Sequence, residues 1–299
     1  MVFVFRGVIG KVHTKRQGKP RPTIDTPPIF CYNKPNITKG GKRMKKFCFT
    51  IDDNIRFIKE LSESGAESLF DHPYPAMLRR LHERFGIKIQ LNLFYRMEGF
   101  DLSKASDRFQ DEWQANADWL KLSFHSELEN VRPYENSGYD EVYNDCRAVH
   151  DEILRFAGKD SLAKTTTVHY CQTTPEGNRA LAENGVKGLL GLFGTKEKPC
   201  TSYSLDTPTG DAIREGEIVI IDGMAYAAIE VIINSIRLEN LLPTLAPFVS
   251  RETLRVMIHE QYFYKDYRAY QPDFEEKLVT TFDFLLSNGF ENCFFEEML

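Results

Sequence analysis

Four apolar stretches of this chain end in acidic or imidazole side chains, the groups that most often carry protons or bind metal ions. These residues are Asp52, Asp53, His125, His169, His259 and Glu260. Asp52 and Asp53 close the stretch "KKFCFTIDDN", and two adjacent carboxylates repel each other unless a cation lies close by. A divalent metal ion or a group of imidazoles would supply that positive charge.

The spacing around His125 predicts a metal site. His125 and Glu129 are four residues apart, so a helical turn would place them on one face. Together with Asp53 they would offer one nitrogen and two carboxylate ligands and leave positions open for water and substrate. This set suits one divalent ion of Zn, Mn, Fe or Co, with Mg as a further competitor. Asp52 could then take a proton from the attacking water, and His259 could give one to a leaving group.

Each of these residues also has a purely structural interpretation. Asp53 could cap the following helix, His125 could be a hydrogen-bonded histidine of the core, and Glu129 could be a solvated surface charge. Tyr262 and Tyr264 could stack on a sugar ring or pack as an aromatic loop over the rim of the fold. The recurrence of acids and histidines at strand ends favours a functional site over these separate explanations.

The segments that would position these residues alternate between strands and helices. Strands are predicted at 46–51, 87–95, 119–125, 164–170, 186–193 and 254–259, with further strands in "EIVIIDG" and within 291–298. Helices are predicted at 54–64, 73–86, 107–117, 138–157, 174–185 and 272–289. This alternation indicates an α/β fold with a parallel sheet, and the length after residue 43 matches a (β/α) barrel of about 250 residues. The carboxyl ends of barrel strands share one face, so the polar strand ends would converge there.

The first 43 residues differ in composition from the rest of the chain. They hold ten of the 38 basic residues, one of the 43 acidic residues and five of the 14 prolines, which leaves 28 basic and 42 acidic residues and a net charge of −14 for residues 44–299. This segment is expected to be either a disordered basic arm or a mis-called leader. The leader is favoured because "KGGKRM" can be encoded by a purine-rich ribosome-binding sequence just before the codon of Met44. Residues 44–299 are then expected to form a single catalytic domain.

The composition also excludes several classes of protein. The acidic balance after residue 43 argues against a nucleic-acid-binding protein, and no apolar run approaches the roughly 20 residues of a membrane span. The six cysteines are scattered without a CxxC pair, which indicates reduced thiols and a cytoplasmic location. The sequence does not predict the oligomeric state.

At the predicted site the chain resembles NodB-type polysaccharide deacetylases, carbohydrate esterase family 4, within the wider glycoside hydrolase/deacetylase barrel superfamily. "FTIDDN" is similar to the family's "TFDDG" motif, "HSELE" to its metal-binding "HSxxH" and "VMIH" to its closing "LxH", in the same order along the chain. The resemblance implies a NodB-like barrel, distorted or seven-stranded. It also implies that Asp52 is the base, that Asp53 and His125 bind the metal, and that His259 is the acid.

The chain departs from the family pattern at several positions. Glu129 stands in place of the second histidine of "HSxxH", Asn54 replaces the motif glycine, and His169 lies roughly where an arginine would stand. No counterpart of the family's aspartate–tryptophan motif is found. The residues expected to contact substrate are His169, Asn92, Tyr262 and Tyr264.

Three functions are expected, in order of preference. The first is a metal-dependent hydrolase that deacetylates an N-acetylated sugar or a related carbohydrate amide. The second is a metal-independent glycoside hydrolase that uses Asp52 and Glu260 as its carboxylate pair. The third is a non-catalytic carbohydrate-binding protein on the same fold. All three take a carbohydrate as their partner.

Overall fold

The computed structural model describes residues 30–31, 44–129 and 134–299. The disordered arm or leader expected for residues 1–43 therefore lies outside the described residues, apart from the backbone of strand β1 (Phe30–Cys31). The other strands are β2 (Lys45–Asn54), β3 (Ile89–Met97), β4 (Phe100–Asp101), β5 (Leu120–Leu128), β6 (Thr165–Thr166), β7 (Gly188–Gly191), β8 (Val219–Ile221), β9 (Met224–Ala228), β10 (Val231–Ile232), β11 (Thr253–His259) and β12 (Phe290–Asn292). The helices are α1 (Arg56–Glu63), α2 (Pro73–Phe85), α3 (Gln110–Ala115), α4 (Tyr139–Phe156), α5 (Pro175–Glu183), α6 (Thr207–Arg214), α7 (Leu238–Leu245) and α8 (Phe274–Ser287).

The strands form two sheets that follow one another around a ring. Strands β10, β11, β2, β3 and β5 are parallel neighbours in the first sheet, and β6, β7 and β9 are parallel neighbours in the second. Single backbone contacts join the sheets: Leu122 bridges to Leu162, and the amide of Glu230 donates to the carbonyl of Arg255 at 3.0 Å. If β9 and β10 are counted as one strand, the described residues form a ring of seven parallel strands. The hydrogen-bonded pairing of this ring is interrupted where the two sheets meet. The predicted distorted (β/α) barrel is confirmed.

Strand β2 lies at the centre of the first sheet. Its residues Phe47, Phe49 and Ile51 are fully buried, and Phe282 of α8 packs against both phenylalanine rings. Strand β11 pairs with β2 along one edge, and on the other edge β12 pairs with the first residues of β2 and β3 with the last. Because both faces of β2 are buried, its sequence is a nearly continuous run of apolar residues.

Several predicted elements are shorter in the structure. The predicted strand 164–170 is reduced to β6, and a 3₁₀ turn over His169–Cys171 follows it, with φ of 58° at Tyr170 and 56° at Cys171. The predicted strand in "EIVIIDG" is β8, which turns through Asp222 and Gly223 and pairs antiparallel with β9. In both places local turns interrupt a pattern that looks continuous in the sequence.

The helices that flank the ring carry recognisable boundary signals. Pro73 begins α2, and Gly86 ends it with φ of 67°, a conformation that glycine adopts without strain. Thr174 accepts a hydrogen bond from the Gly177 amide at 3.1 Å and caps α5. Within the described ranges, no helix combines the length and the apolar character needed to cross a membrane.

Candidate metal and acid–base site

The polar strand ends meet at the carboxyl edge of the sheets. Asp52 and Asp53 lie near the end of β2, His125 lies in β5 and His259 ends β11. His169 follows β6 in a short 3₁₀ turn. Strands β2 and β11 are neighbours, and Asp52 pairs in register with His259. Residues far apart in the sequence are thus brought together in the way that a barrel-like ring allows.

Asp53 reaches the site because its backbone leaves the strand geometry. Successive residues of a strand point to opposite faces, so a regular strand could not direct Asp52 and Asp53 to one site. Asp53 has φ of 64°, and the pairing of β2 with β3 is irregular between Ile51 and Asn54. This local departure places both carboxylates beside the histidines.

Asp53, His125 and His169 bring three potential ligand atoms together. Oδ1 of Asp53 lies 3.0 Å from Nε2 of His125 and 3.4 Å from Nδ1 of His169, and the two nitrogens are 3.1 Å apart. Neighbouring ligand atoms in a tetrahedral site with metal–nitrogen bonds of about 2.0 Å are separated by about 3.3 Å. The three atoms are therefore close enough together to hold one metal ion.

The hydrogen bonds of these residues also fit a divalent metal ion. Nδ1 of His125 donates to the carbonyl of Thr167 at 2.5 Å, which leaves the lone pair of Nε2 in the neutral ring for a metal. Within the described part of the chain, Nε2 of His169 is buried without a hydrogen-bond partner. Oδ2 of Asp53 accepts a hydrogen bond from Nε2 of Gln261 at 2.5 Å. One carboxylate and two imidazoles suit Zn, Mn, Fe or Co and leave positions open for water and substrate.

The charges in the site are strongly coupled. Burial by itself would raise the pKa of Asp53, but the hydrogen bond and charge of His125 and the charges of His259 and His169 hold it below its ordinary value. Burial by itself would lower the pKa of His125, but Asp52 and Asp53 raise it. Burial and the neighbouring His125 lower the pKa of His169 to about 3. His169 is therefore neutral at pH 7, the form in which an imidazole binds a metal.

Asp52 is fixed by a buried chain of hydrogen bonds. Its side chain is buried, and Nδ2 of Asn92 donates to its Oδ1 at 2.6 Å. Asn92 in turn accepts from Nε2 of Gln90 at 2.8 Å, and Gln90 exchanges hydrogen bonds with Thr165. Burial raises the pKa of Asp52, although the neighbouring imidazoles oppose the shift. A carboxylate with a raised pKa and one fixed oxygen is suited to act as a general base.

His259 is oriented by Asn234. Nδ1 of His259 lies 2.9 Å from the side-chain oxygen of Asn234, so Nδ1 carries the proton and Nε2 is left for substrate chemistry. The ring of Tyr262 lies 6.1 Å from that of His259. Asn234 belongs to the 3₁₀ turn Ile233–Ser235, directly after β10. This turn places an oriented imidazole beside the carboxylates of β2.

Sequence reasoning missed three supporting residues. Gln261 directly follows His259 and Glu260, so its position after a polar strand end was a usable signal. Asn234 lies in the section 200–249, whose pattern does not resolve clearly into elements. Thr167 acts through its backbone carbonyl, which any residue type could supply, so the sequence holds no signal for it.

Glu260 does not have the catalytic position that was predicted for it. Its carboxylate accepts hydrogen bonds from the backbone amides of Ile55 and Phe57 at 2.8 and 2.9 Å and from that of Arg56 at 3.3 Å. The hydroxyl of Tyr264 donates to it at 2.6 Å, and both side chains are buried. Glu260 therefore caps the N-terminus of α1, and Tyr264 supports that cap instead of contacting substrate.

The other predicted contacts are placed as follows. Asn92 is fully buried and bonded to Asp52, so it positions the base and has no surface for substrate. Glu129, which was predicted to bind the metal, is exposed and is not among the described residues whose ligand atoms come together. His169, which was predicted to contact substrate, belongs to the ligand group in its place. The substrate role of Tyr262, which lies half-buried beside His259, stays a prediction.

Comparison with solved structures finds similar folds over most of the chain. A 4-alpha-glucanotransferase from Thermococcus litoralis matches with 14% identity and a TM-score of 0.54, over 86% of this chain and 40% of that one. A family 4 acetyl xylan esterase from Clostridium thermocellum, in complex with a cobalt ion, matches with 14% identity and a TM-score of 0.46, over 85% and 89% of the chains. BA3943 from Bacillus anthracis, a CE4 family pseudoenzyme, matches with 10% identity and a TM-score of 0.46, over 85% and 65%.

The sequence comparisons find no match. No protein-family model fits the chain, and no curated protein is similar to it. This chain spans less than half of the glucanotransferase, the structure to which its fold is most similar among the three described. The search thus finds structures of the family that the motifs resemble, at 14% and 10% identity.

Proposed function

We propose that residues 44–299 form a metal-dependent hydrolase that removes an acetyl group from an N-acetylated sugar or a related carbohydrate amide. The observation that supports this most strongly is the meeting of Asp53, His125 and His169 beside the buried Asp52 and the oriented His259. A ligand group, a base and an acid at one site are what the hydrolysis of an amide requires.

The site residues divide the reaction between them. A divalent ion held by Asp53, His125 and His169 would supply Lewis-acid polarisation of the acyl carbonyl. Asp52 takes a proton from the attacking water, whose oxygen bonds to the acyl carbon. His259, when both of its ring nitrogens carry protons, gives the proton of Nε2 to the nitrogen as the carbon–nitrogen bond breaks. The products are acetate and the free amine of the sugar.

The first test is the metal content of the protein. Elemental analysis of the full chain, after incubation with Zn, Mn, Fe and Co in turn, is expected to find about one ion per chain. Asp53→Ala, His125→Ala and His169→Ala should each lose it, while Glu129→Ala should keep it. Loss of the ion in Glu129→Ala but not in His169→Ala would instead support Asp53, His125 and Glu129 as the ligands, as predicted from the sequence.

The second test is acetate release from an N-acetylated oligosaccharide by the metal-loaded protein. Turnover should stop when the ion is removed with a chelator and return when the ion is restored. Cleavage of the glycosidic bond that persists in chelator would instead favour a carboxylate glycosidase. The capping contacts of Glu260 argue against that alternative, because both of its oxygens accept hydrogen bonds from α1 or Tyr264. Sugar binding without turnover would favour a non-catalytic carbohydrate-binding protein.

A cytoplasmic location is part of this proposal. Five of the six cysteines, Cys48, Cys146, Cys171, Cys200 and Cys293, are free thiols. Free thiols are typical of reducing compartments. Fractionation of the native cells, followed by detection of the protein, would test the location directly.

A further inference from the structure

We propose that Gln261 is a positioning residue of the candidate metal site. It holds the carboxylate of Asp53 in place, so that Asp53 offers a metal ion its Oδ1 atom alone. This inference rests on the ligand group of the proposed function and adds to it the residue that fixes how the carboxylate binds. It comes from the contacts of the two oxygens of Asp53 and from the bonding of the Gln261 amide.

The two carboxylate oxygens of Asp53 have different partners. Oδ1 lies 3.0 Å from Nε2 of His125 and 3.4 Å from Nδ1 of His169. Oδ2 accepts a hydrogen bond from Nε2 of Gln261 at 2.5 Å. An aspartate can bind a divalent ion through one oxygen or through both. Because Gln261 occupies Oδ2, the structure presents Asp53 as a ligand through Oδ1.

The position of Gln261 in the fold supports this role. Gln261 belongs to the 3₁₀ turn Glu260–Phe263, which follows β11. Its neighbour Glu260 accepts hydrogen bonds from the first amides of α1, which begins three residues after Asp53. Two consecutive side chains of one turn therefore hold the strained end of β2, Glu260 through the helix and Gln261 through the carboxylate.

The bonding of the amide shows which of its ends the site uses. An ionised carboxylate only accepts hydrogen bonds, so the amide atom beside Oδ2 of Asp53 is the nitrogen. Among the described residues, Oε1 of Gln261 is buried without a hydrogen-bond partner, an arrangement that costs stability. The hydrogen bond that the side chain of Gln261 makes in this part of the chain is the one to Asp53.

A neutral donor suits this position better than a charged side chain. The only negative charge within the ligand group is that of Asp53, because its other two members are imidazoles. A lysine or arginine at position 261 would neutralise this charge and oppose a metal ion, and a glutamate would repel the carboxylate. Glutamine donates a hydrogen bond and adds no charge. Removal of such a partner from a metal ligand typically weakens metal binding by about 10–100-fold.

The test follows the binding of Co to the full chain by absorption spectroscopy. Gln261→Met keeps the length of the side chain and removes its donor. Gln261→Asn keeps the amide, but it is one methylene shorter and does not reach Oδ2. Both variants should bind Co about tenfold more weakly or worse. The visible bands of the bound Co should also change, because Asp53 is then free to bind through both oxygens and these bands depend on the number and arrangement of ligands.

Gln110→Met is the matched control. Gln110 also donates through Nε2, to the carbonyl of Arg155 at 2.7 Å, and it lies in α3, outside the ligand group. Its substitution should leave the affinity for Co and the visible bands unchanged. If Gln261→Met does not fold, Gln261→Asn decides the test, because it retains a polar side chain at the same position.

The outcomes separate this inference from the proposed function. Wild-type affinity for Co in both Gln261 variants, or weaker binding with wild-type bands, would overturn the role of Gln261 and leave the ligand group in place. Failure of wild-type protein to bind Co would overturn both. Weaker binding with altered bands, in a protein that releases no acetate, would uphold the role of Gln261 and overturn the hydrolase.

Discussion

At the scale of single residues, the site depends on which of its two adjacent aspartates accepts a proton and which binds a metal. Asp52 and Asp53 are adjacent in sequence but have different surroundings. Asp53 faces His125 and His169, whereas Asp52 is buried against Asn92. The first arrangement suits a metal ligand and the second suits a base.

Asp52→Asn should separate these two roles. The variant keeps the shape of the side chain and the ligand group, so the metal content should remain that of wild type. Acetate release should fall by about 10²–10⁴-fold, because the amide cannot accept the proton. Steady-state kinetics and elemental analysis on the same preparation check both statements. Retention of full activity would assign the base to another residue.

The sequence supports some of these assignments better than others. Asp52, Asp53, His125 and His259 could be proposed from strand ends and family motifs. The place of His169 among the ligands could not, because His169 lies in a 3₁₀ turn where the pattern predicts a strand. Glu260 was misassigned for a related reason. Neighbouring strand residues point to opposite sides, so when His259 faces the site the next residue faces α1.

At the scale of elements, helix α1 is anchored from the far end of the chain. It has no side-chain cap of its own at Ile55, and the carboxylate of Glu260 accepts hydrogen bonds from its first amides. Helix α1 begins only three residues after Asp53. The cap therefore also supports the strained turn that presents the metal ligand.

Glu260→Gln should weaken metal binding without removing a ligand. The amide offers one acceptor oxygen in place of two and adds a donor that faces backbone N–H groups. We expect about tenfold weaker binding of Co, measured by spectroscopic titration. The control is Asp206→Asn, which alters the cap of α6 that bonds the Thr209 amide at 2.9 Å. Equal metal affinity in the Glu260 variant and in wild type would show that the cap serves stability alone.

The same cap predicts a dependence of stability on pH. Burial raises the pKa of Glu260 to about 7 from the ordinary 4.5, although Tyr264 and the amides of α1 oppose the shift. The folded protein therefore binds this proton more tightly than the unfolded chain does. Its contribution to stability is complete below about pH 4.5 and is lost as the pH rises through about 7.

Urea unfolding at about pH 5 and about pH 8 would measure this contribution. The free energy of unfolding should fall more between these values in wild-type protein than in Glu260→Gln, which cannot titrate at this position. An equal fall in both proteins would show that the proton is bound elsewhere.

At the scale of the whole molecule, one buried ion pair holds the two sheets together. Arg255 is fully buried, and its guanidinium contacts Glu230 at 2.5 Å and the carbonyl of Ala228 at 2.8 Å. These contacts connect β11 to the end of β9 and to the segment between β9 and β10, where the chain passes from the second sheet to the first. The pair therefore links the two sheets beside the hydrogen bond from the Glu230 amide to the Arg255 carbonyl.

Arg255→Met should destabilise the protein by about 3–5 kcal/mol, because Glu230 would remain buried without its main partner. The double variant Arg255→Met/Glu230→Leu should recover a large part of that loss, since no charge is then left buried. Thermal and urea unfolding of both variants measure the effect. A double variant as unstable as the single one would show that the hydrogen bonds to the backbone matter more than the charge.

The pairing of β2 with β11 and β12 has a consequence for how the protein is made. Strand β2 is synthesised early, but β11, which pairs along one of its edges, and β12, which pairs with its first residues on the other edge, come from residues 253–292. Until β11 is synthesised, one edge of an apolar strand lacks its partner, and such edges promote aggregation. The site, which joins β2 to β11, can therefore assemble only near the end of translation.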